Sequence, residues 1–168
     1  MNIFILDDNM DKIPKLMSDQ HVVKMILEYC QILCTAHHLQ GTEDVPYKKT
    51  HQHHPCVKWV LESMQNYQYL HILCESLCSE YTYRFGRRHK SQDVLDWAQE
   101  NHPGIRSNGF TPHVQCMPEE FRQEDAVEAY KSYYFYKYTM SLGNKRTKMR
   151  FTNREVPKFL VEKVMCCI

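Results

Sequence analysis

Residues 18–38 read SDQHVVKMILEYCQILCTAHH, and this stretch decides the fold. Ser18 or Asp19 offers an N-terminal cap, after which Val22, Met25 or Ile26, Tyr29, Ile32 or Leu33 and Ala36 recur at helical spacing. The pattern predicts an amphipathic helix. Its other stripe, His21, Lys24, Glu28, Gln31 and Thr35, advances by threes and fours, so these side chains stack on one face and can act together. That polar stripe is the candidate wall of an active site.

Outward from this helix, a polar link after Gly41, TEDVPYKKTHQHH, leads to Pro55, a residue suited to a first helical turn because its missing N–H is not needed there. From Val57 to about Tyr83 apolar residues repeat with helical period, which predicts one long central helix ended by Gly86. A shorter helix is expected around Asp93 to Glu100. Pro103, Gly104, Gly109, Pro112 and Pro118 then mark an irregular crossing. A last helix is expected from about Glu124 to Met140, with tyrosines nearly around its circumference, so that some rings face a partner or a cleft. The expectation is an all-α protein: a single compact domain, residues 1–168, of about four to five helices around the long central one.

Composition excludes several classes. The apolar run near the N-terminus is only four residues long and meets Asp7 and Asp8, unlike a secretion signal, and no stretch approaches the roughly 20 apolar residues of a membrane span. The eight cysteines fall mostly inside apolar helical patterns, as in Cys30 with Cys34 and Cys74 with Cys78. They read as reduced, buried thiols. A monomer of the reducing cytoplasm, without metal or cofactor and with no membrane partner, is expected. Net charge is +1, yet residues 143 to 163 concentrate cations, Lys145, Arg146 and Lys148 among them. Such a run suits either a phosphate backbone or a solvated surface.

Three stretches together resemble the phage-type pyrimidine-dimer DNA glycosylases of the endonuclease V class. Asp19-Gln20-His21 with Glu28 seven positions after the histidine is similar to that family's Asp-Gln-His to Glu pattern. Trp59 to Phe85, ending EYTYRFG, resembles its long central helix, and Pro118-Glu119-Glu120-Phe121-Arg122 resembles the motif before its last long helix. The resemblance implies a DNA-repair hydrolase and lyase in which a free α-amine attacks the sugar and forms an imine, with Glu28 in the role of the stabilising glutamate. By position it makes Glu28, His21, Lys24 and Met1 the catalytic candidates, the amine being that of Met1 or of Lys24. The sequence departs from the family in places: Asn2 should block removal of the initiator methionine, the segment before the histidine is longer, and Leu27 and Gln31 stand where the family carries arginines.

Candidates for gripping DNA or substrate are Gln20, Gln31, His51, His53, His54, Arg84, Arg122, Lys145, Arg146 and Lys148. The histidine cluster before Pro55, with His37 and His38 at the preceding helix end, invites a metal reading because imidazoles suit zinc, iron and nickel, but its spacing matches no specific metal motif; it also suits an anion at a helix start or surface and capping roles. Arg84 and Arg122 fit either contacts to DNA or buried ion pairs. Besides DNA, a free or modified pyrimidine nucleotide is a possible substrate of the same site. A non-enzymatic adaptor is the third reading, and a fully exposed Glu28 with no pocket beside it would favour it.

Overall fold

The computed structural model describes residues 1–143 and 145–165. Among them are seven α-helices and no strand: α1 (Ile13–Leu16), α2 (Asp19–Leu39), α3 (Pro55–Glu62), α4 (Met64–Phe85), α5 (Gln92–Glu100), α6 (Ala126–Leu142) and α7 (Lys158–Met165), with 3₁₀ turns at Met10–Lys12 and Glu119–Phe121. No described helix is long and apolar enough to cross a membrane. The all-α expectation holds, but the helix count exceeds the four to five expected.

Ser18 caps α2 as its side chain accepts from the His21 amide, and Gly86 ends α4 in the left-handed region at φ 66°, its amide donating to Thr82 O at 2.8 Å. The one long central helix expected from Val57 is divided at Ser63. That residue adopts extended backbone, φ −157° and ψ 147°, and closes α3 while its side chain accepts from the Gln65 amide to start α4. The groups freed by the break are satisfied across it. Asn66 donates to Trp59 O at 2.8 Å, and the Met64 amide donates to Arg106 O at 2.9 Å from the crossing that follows α5. Asn66 Oδ1 accepts in turn from the Thr111 amide at 3.1 Å. Apolar periodicity runs through Ser63 unbroken, and only the capping chemistry marks the division.

Helices α2, α3 and α4 pack on one another, with α1 and α5 against α4. The N-terminal segment enters this core without helical structure: Ile3, Phe4, Ile5 and Leu6 are buried. Phe4 packs edge-on against Tyr134, and its amide donates to the Tyr29 hydroxyl at 3.3 Å. Cys30 of α2 meets Cys74 of α4 across the helix pair, with their sulfurs 3.9 Å apart. Cys30, Cys34, Cys74 and Cys78 are buried and unbridged, as their apolar settings lead one to expect. The last two cysteines of the chain lie outside the described residues.

The C-terminal segment is stitched to the start of α2. Asp19 accepts from the Thr152 amide at 2.9 Å and from its hydroxyl at 2.7 Å, Gln20 donates to Lys148 O at 2.7 Å, and the Asp19 amide donates to Arg150 O at 2.8 Å. Beneath them lies an ionic clasp. Arg84, whose side chain is 0 % exposed, donates to Glu80 at 2.7 Å, to Asp19 at 3.0 Å and to the carbonyls of Pro14, Lys15 and Met17. Arg154 grips the two Glu80 oxygens at 2.8 Å each. Burial pushes the Glu80 carboxyl upward, and the hydrogen bonds from Arg154 and Arg84 outweigh it and hold the group below the usual range.

Candidate active site

Glu28 sits two turns into α2 and is 12 % exposed at its side chain, a carboxylate with a narrow opening to solvent. A cation approaches each oxygen. Lys24 Nζ, one turn earlier on the same helix, lies 3.3 Å from Oε1, and the α-amino nitrogen of Met1 lies 3.7 Å from Oε2. The two amines differ in setting: the Lys24 side chain is 68 % exposed, the Met1 side chain 5 %.

The position of Met1 follows from the residues after it. Asn2 donates to Cys116 O at 2.7 Å, and the Tyr130 hydroxyl lies 2.8 Å from Asn2 Oδ1 and 2.7 Å from Val114 O while accepting from the Cys116 amide at 3.3 Å. Tyr130 of α6 thus ties the chain start to the crossing that precedes α6. Residues 3–6 are buried immediately beyond. An amine held in place by the packing and hydrogen bonds of the residues that follow it loses little freedom when it is used.

Beside this pair lies a cleft of about 910 Å³ whose wall includes His54, His113, Cys116, Met117 and Arg122. His54 caps α3, its Nδ1 accepting from the Cys56 amide at 3.1 Å. Burial lowers its pKa, with the positive α-amine of Met1 next in effect, so amine, imidazole and cleft wall share one neighbourhood. Cys56 and Cys116 meet at 3.4 Å between sulfurs. The hydrogen bond between them holds the Cys116 thiol below its ordinary range and raises that of Cys56, whose burial adds to the rise. A second cleft, about 620 Å³, has an apolar floor that includes Val23, Leu27 and Tyr81, with Lys24, Arg87 and Lys90 around it.

The polar stripe of α2 is divided by the fold. Glu28 and Lys24 are at the site, whereas Thr35 is buried, accepting from the Thr50 amide and donating to its carbonyl. His21 packs on Phe4, and its Nδ1 lies 2.7 Å from the Tyr134 hydroxyl. Burial first, then the charges of Lys137 and Lys24, lowers its pKa to about 4. It is a neutral ring anchored at the start of α2. Gln31 is half-buried one turn beyond Glu28, and Gln20 is committed to Lys148 O.

Of the proposed DNA contacts, Arg84 requires correction: buried in the clasp with its donors engaged, it presents no surface to a phosphate. Arg122 is exposed and lines the first cleft. His51 and His53 are exposed before α3, His51 Nδ1 lying 2.6 Å from Thr50 Oγ1 and His53 Nε2 3.2 Å from Gln52, so of the histidine cluster only His54 reaches the cleft wall. Lys145, Arg146 and Lys148 are exposed. The tyrosines of α6 are also redistributed, since Tyr130 and Tyr134 are fully buried and Tyr136 is exposed. Sequence reasoning missed Asn2, Tyr130 and Cys116, which no local pattern joins; for Cys56 the His54-Pro55-Cys56 triplet at a helix start was a usable signal.

The family model for pyrimidine dimer DNA glycosylases matches residues 1–93. The chain belongs to that family. The matched stretch contains the N-terminal segment, all of α2 with Glu28, and α3 and α4, so the family's residues and the amine–carboxylate pair occupy the same part of the fold. Among curated proteins and among solved structures none matches the chain.

Proposed function

We propose that this member of the pyrimidine dimer DNA glycosylase family cleaves the glycosidic bond of a dimerised pyrimidine in DNA by attack of the Met1 α-amine. As the amine nitrogen bonds to the sugar C1′, the C1′–base bond breaks. The base leaves as its N1 anion and takes a proton from water; Glu28 accepts the proton the amine gives up and returns it to O4′ as the sugar ring opens to the imine. Ionised again, the carboxylate removes the C2′ proton in this reading, and the 3′ phosphate leaves with its C–O electron pair, cutting the strand. The observation that carries this reading is the 3.7 Å separation of the Met1 nitrogen from Glu28 Oε2 at a site largely closed to solvent.

The Lys24 side chain is 68 % exposed and the Met1 side chain 5 %, so Met1 is the amine enclosed at the site, which favours it as the nucleophile. Lys24 serves better as an exposed cation that meets the phosphates, together with Arg87 and Lys90 of the second cleft. The buried setting of Glu28 beside a cleft argues against an adaptor with a merely solvated stripe.

The test is reductive trapping. With a duplex carrying a thymine dimer or an abasic site, borohydride should yield a covalent adduct whose peptide map places the sugar on Met1. Glu28→Gln should abolish turnover while retaining the fold. An adduct on Lys24, or no adduct on either substrate, would overturn the mechanism.

A further inference from the structure

We propose that His54, Cys56 and Cys116 form a binding site for one thiophilic divalent cation of the zinc class. The ligating atoms of these three residues all lie within 4.8 Å of one another, and the two sulfurs are 3.4 Å apart. A tetrahedral zinc with sulfur at about 2.3 Å and nitrogen at about 2.0–2.1 Å spaces its donors by roughly 3.5–3.8 Å. The trio therefore needs only small side-chain movements to close on an ion. Two thiolates and an imidazole are the donors such cations prefer, and three protein ligands leave a fourth position for water or a small ligand.

The scaffold holds these donors from two directions. His54 and Cys56 flank Pro55 at the first turn of α3, while Cys116 comes from the crossing before α6. Cys116 is fixed through its backbone: Asn2 donates to its carbonyl and its amide donates to Tyr130. Outer contacts of this kind orient metal ligands. The His54-Pro55-Cys56 triplet supplies two of the donors within one stretch, and the third, Cys116, lies 60 residues beyond Cys56.

Two thiol protons leave as the ion enters, so the site with a neutral imidazole carries no net charge and does not repel the nearby α-amine. Loading also changes the helix start. His54 Nδ1 now accepts from the Cys56 amide, and a neutral ring that gave Nε2 to the ion would carry its proton on Nδ1, while one that gave Nδ1 would surrender it directly. Either way the cap bond is exchanged for a metal–nitrogen bond. The bound ion would tie the start of α3 to the cleft wall near Glu28. This inference stands on the three ligands alone and is independent of the imine chemistry.

The experiment uses the full chain, reduced and freed of metal, titrated with cobalt(II). One equivalent should produce sulfur-to-cobalt charge-transfer absorption in the near ultraviolet and the intense visible bands of tetrahedral cobalt, and zinc should bleach them. Cys116→Ser, a near-isosteric change at a half-buried residue, should lose most of the charge-transfer intensity, while Cys34→Ser should keep it. The amide resonance of Cys56 should shift on loading in the wild-type chain. Absence of the bands in the reduced wild-type protein, or bands unchanged in Cys116→Ser, would overturn the proposal.

Discussion

Acidification from pH 7 to pH 5 should cost this protein a large part of its stability, and two histidines set the size of the effect. His37 is fully buried, its Nε2 2.8 Å from the Tyr67 hydroxyl and its ring against Trp97; burial first, then His102 and His38, lowers its pKa to about 4. His21 is lowered to about 4 as well. An unfolded histidine titrates near 6.5. As pH falls below about 6.5 the unfolded chain takes up protons that the native rings refuse, so stability declines between about 6.5 and 4 and levels off below. Each ring then accounts for about 2 kcal/mol of loss by pH 5 and about 3 kcal/mol by pH 4. The pair removes about 4 kcal/mol at pH 5 from a total that is of order 5–15 kcal/mol for a domain. Urea unfolding at pH 7 and pH 5 measures this directly. In His37→Gln the loss over the same interval should shrink by about 2 kcal/mol, because the variant has no proton to refuse. The smaller contributions of His89 and His113, lowered chiefly by burial, are common to both proteins and cancel in the comparison. An unchanged pH dependence in His37→Gln would refute the assignment.

Arg84→Met should cost about 3–5 kcal/mol in urea unfolding, since it strands the buried Glu80 with only Arg154 and removes a donor from the carbonyls of Pro14, Lys15 and Met17; a loss under about 1 kcal/mol would show that Arg84 is not the centre of the clasp. Tyr130→Phe should cost about 1–3 kcal/mol by orphaning Asn2 Oδ1, Val114 O and the Cys116 amide. It should also slow imine trapping disproportionately to its effect on stability, and trapping at the wild-type rate would separate Tyr130 from the placement of Met1.

Much of the helical framework was legible in the sequence because capping and periodicity agree there. Ser18 and the apolar stripe define α2, and Gly86 stops α4 where a left-handed residue is needed. Glu28 stood out because it breaks the apolar run of α2 at a spacing shared with Lys24. The break at Ser63 was hidden, since hydrophobic period carries through a cap that keeps the two helices nearly in phase. Residues 3–6 were legible only as an apolar run too short for a signal, for periodicity has no reading of a buried segment that is neither helix nor strand. Arg84 looked like a DNA contact because a sequence shows its charge and not the Glu80 and Asp19 that surround it. The Cys56–Cys116 approach and the Tyr130–Asn2 tie depend on closure of the whole fold, and no window of sequence contains both partners.

The longer segment before Asp19 raised the question of whether its amine could reach the helix glutamate. The extra length is absorbed by burial. Ile3, Phe4, Ile5 and Leu6 each leave water, and side chains of this size contribute roughly 1.5–3 kcal/mol apiece, against about 1–2 kcal/mol per residue for ordering the backbone. Immobilising the segment is therefore close to neutral or favourable, and the polar tie at Asn2 sets where it ends. Asn2 holds this end of the segment through its bond to the Cys116 carbonyl, with the Met1 nitrogen 3.7 Å from Glu28. The cations have shifted in a comparable way. Leu27 forms part of an apolar floor next to Lys24, and Arg87 and Lys90, from the turn after α4, surround the same cleft. Around Lys24, positive charge therefore comes from the turn after α4 rather than from positions 27 and 31 of α2.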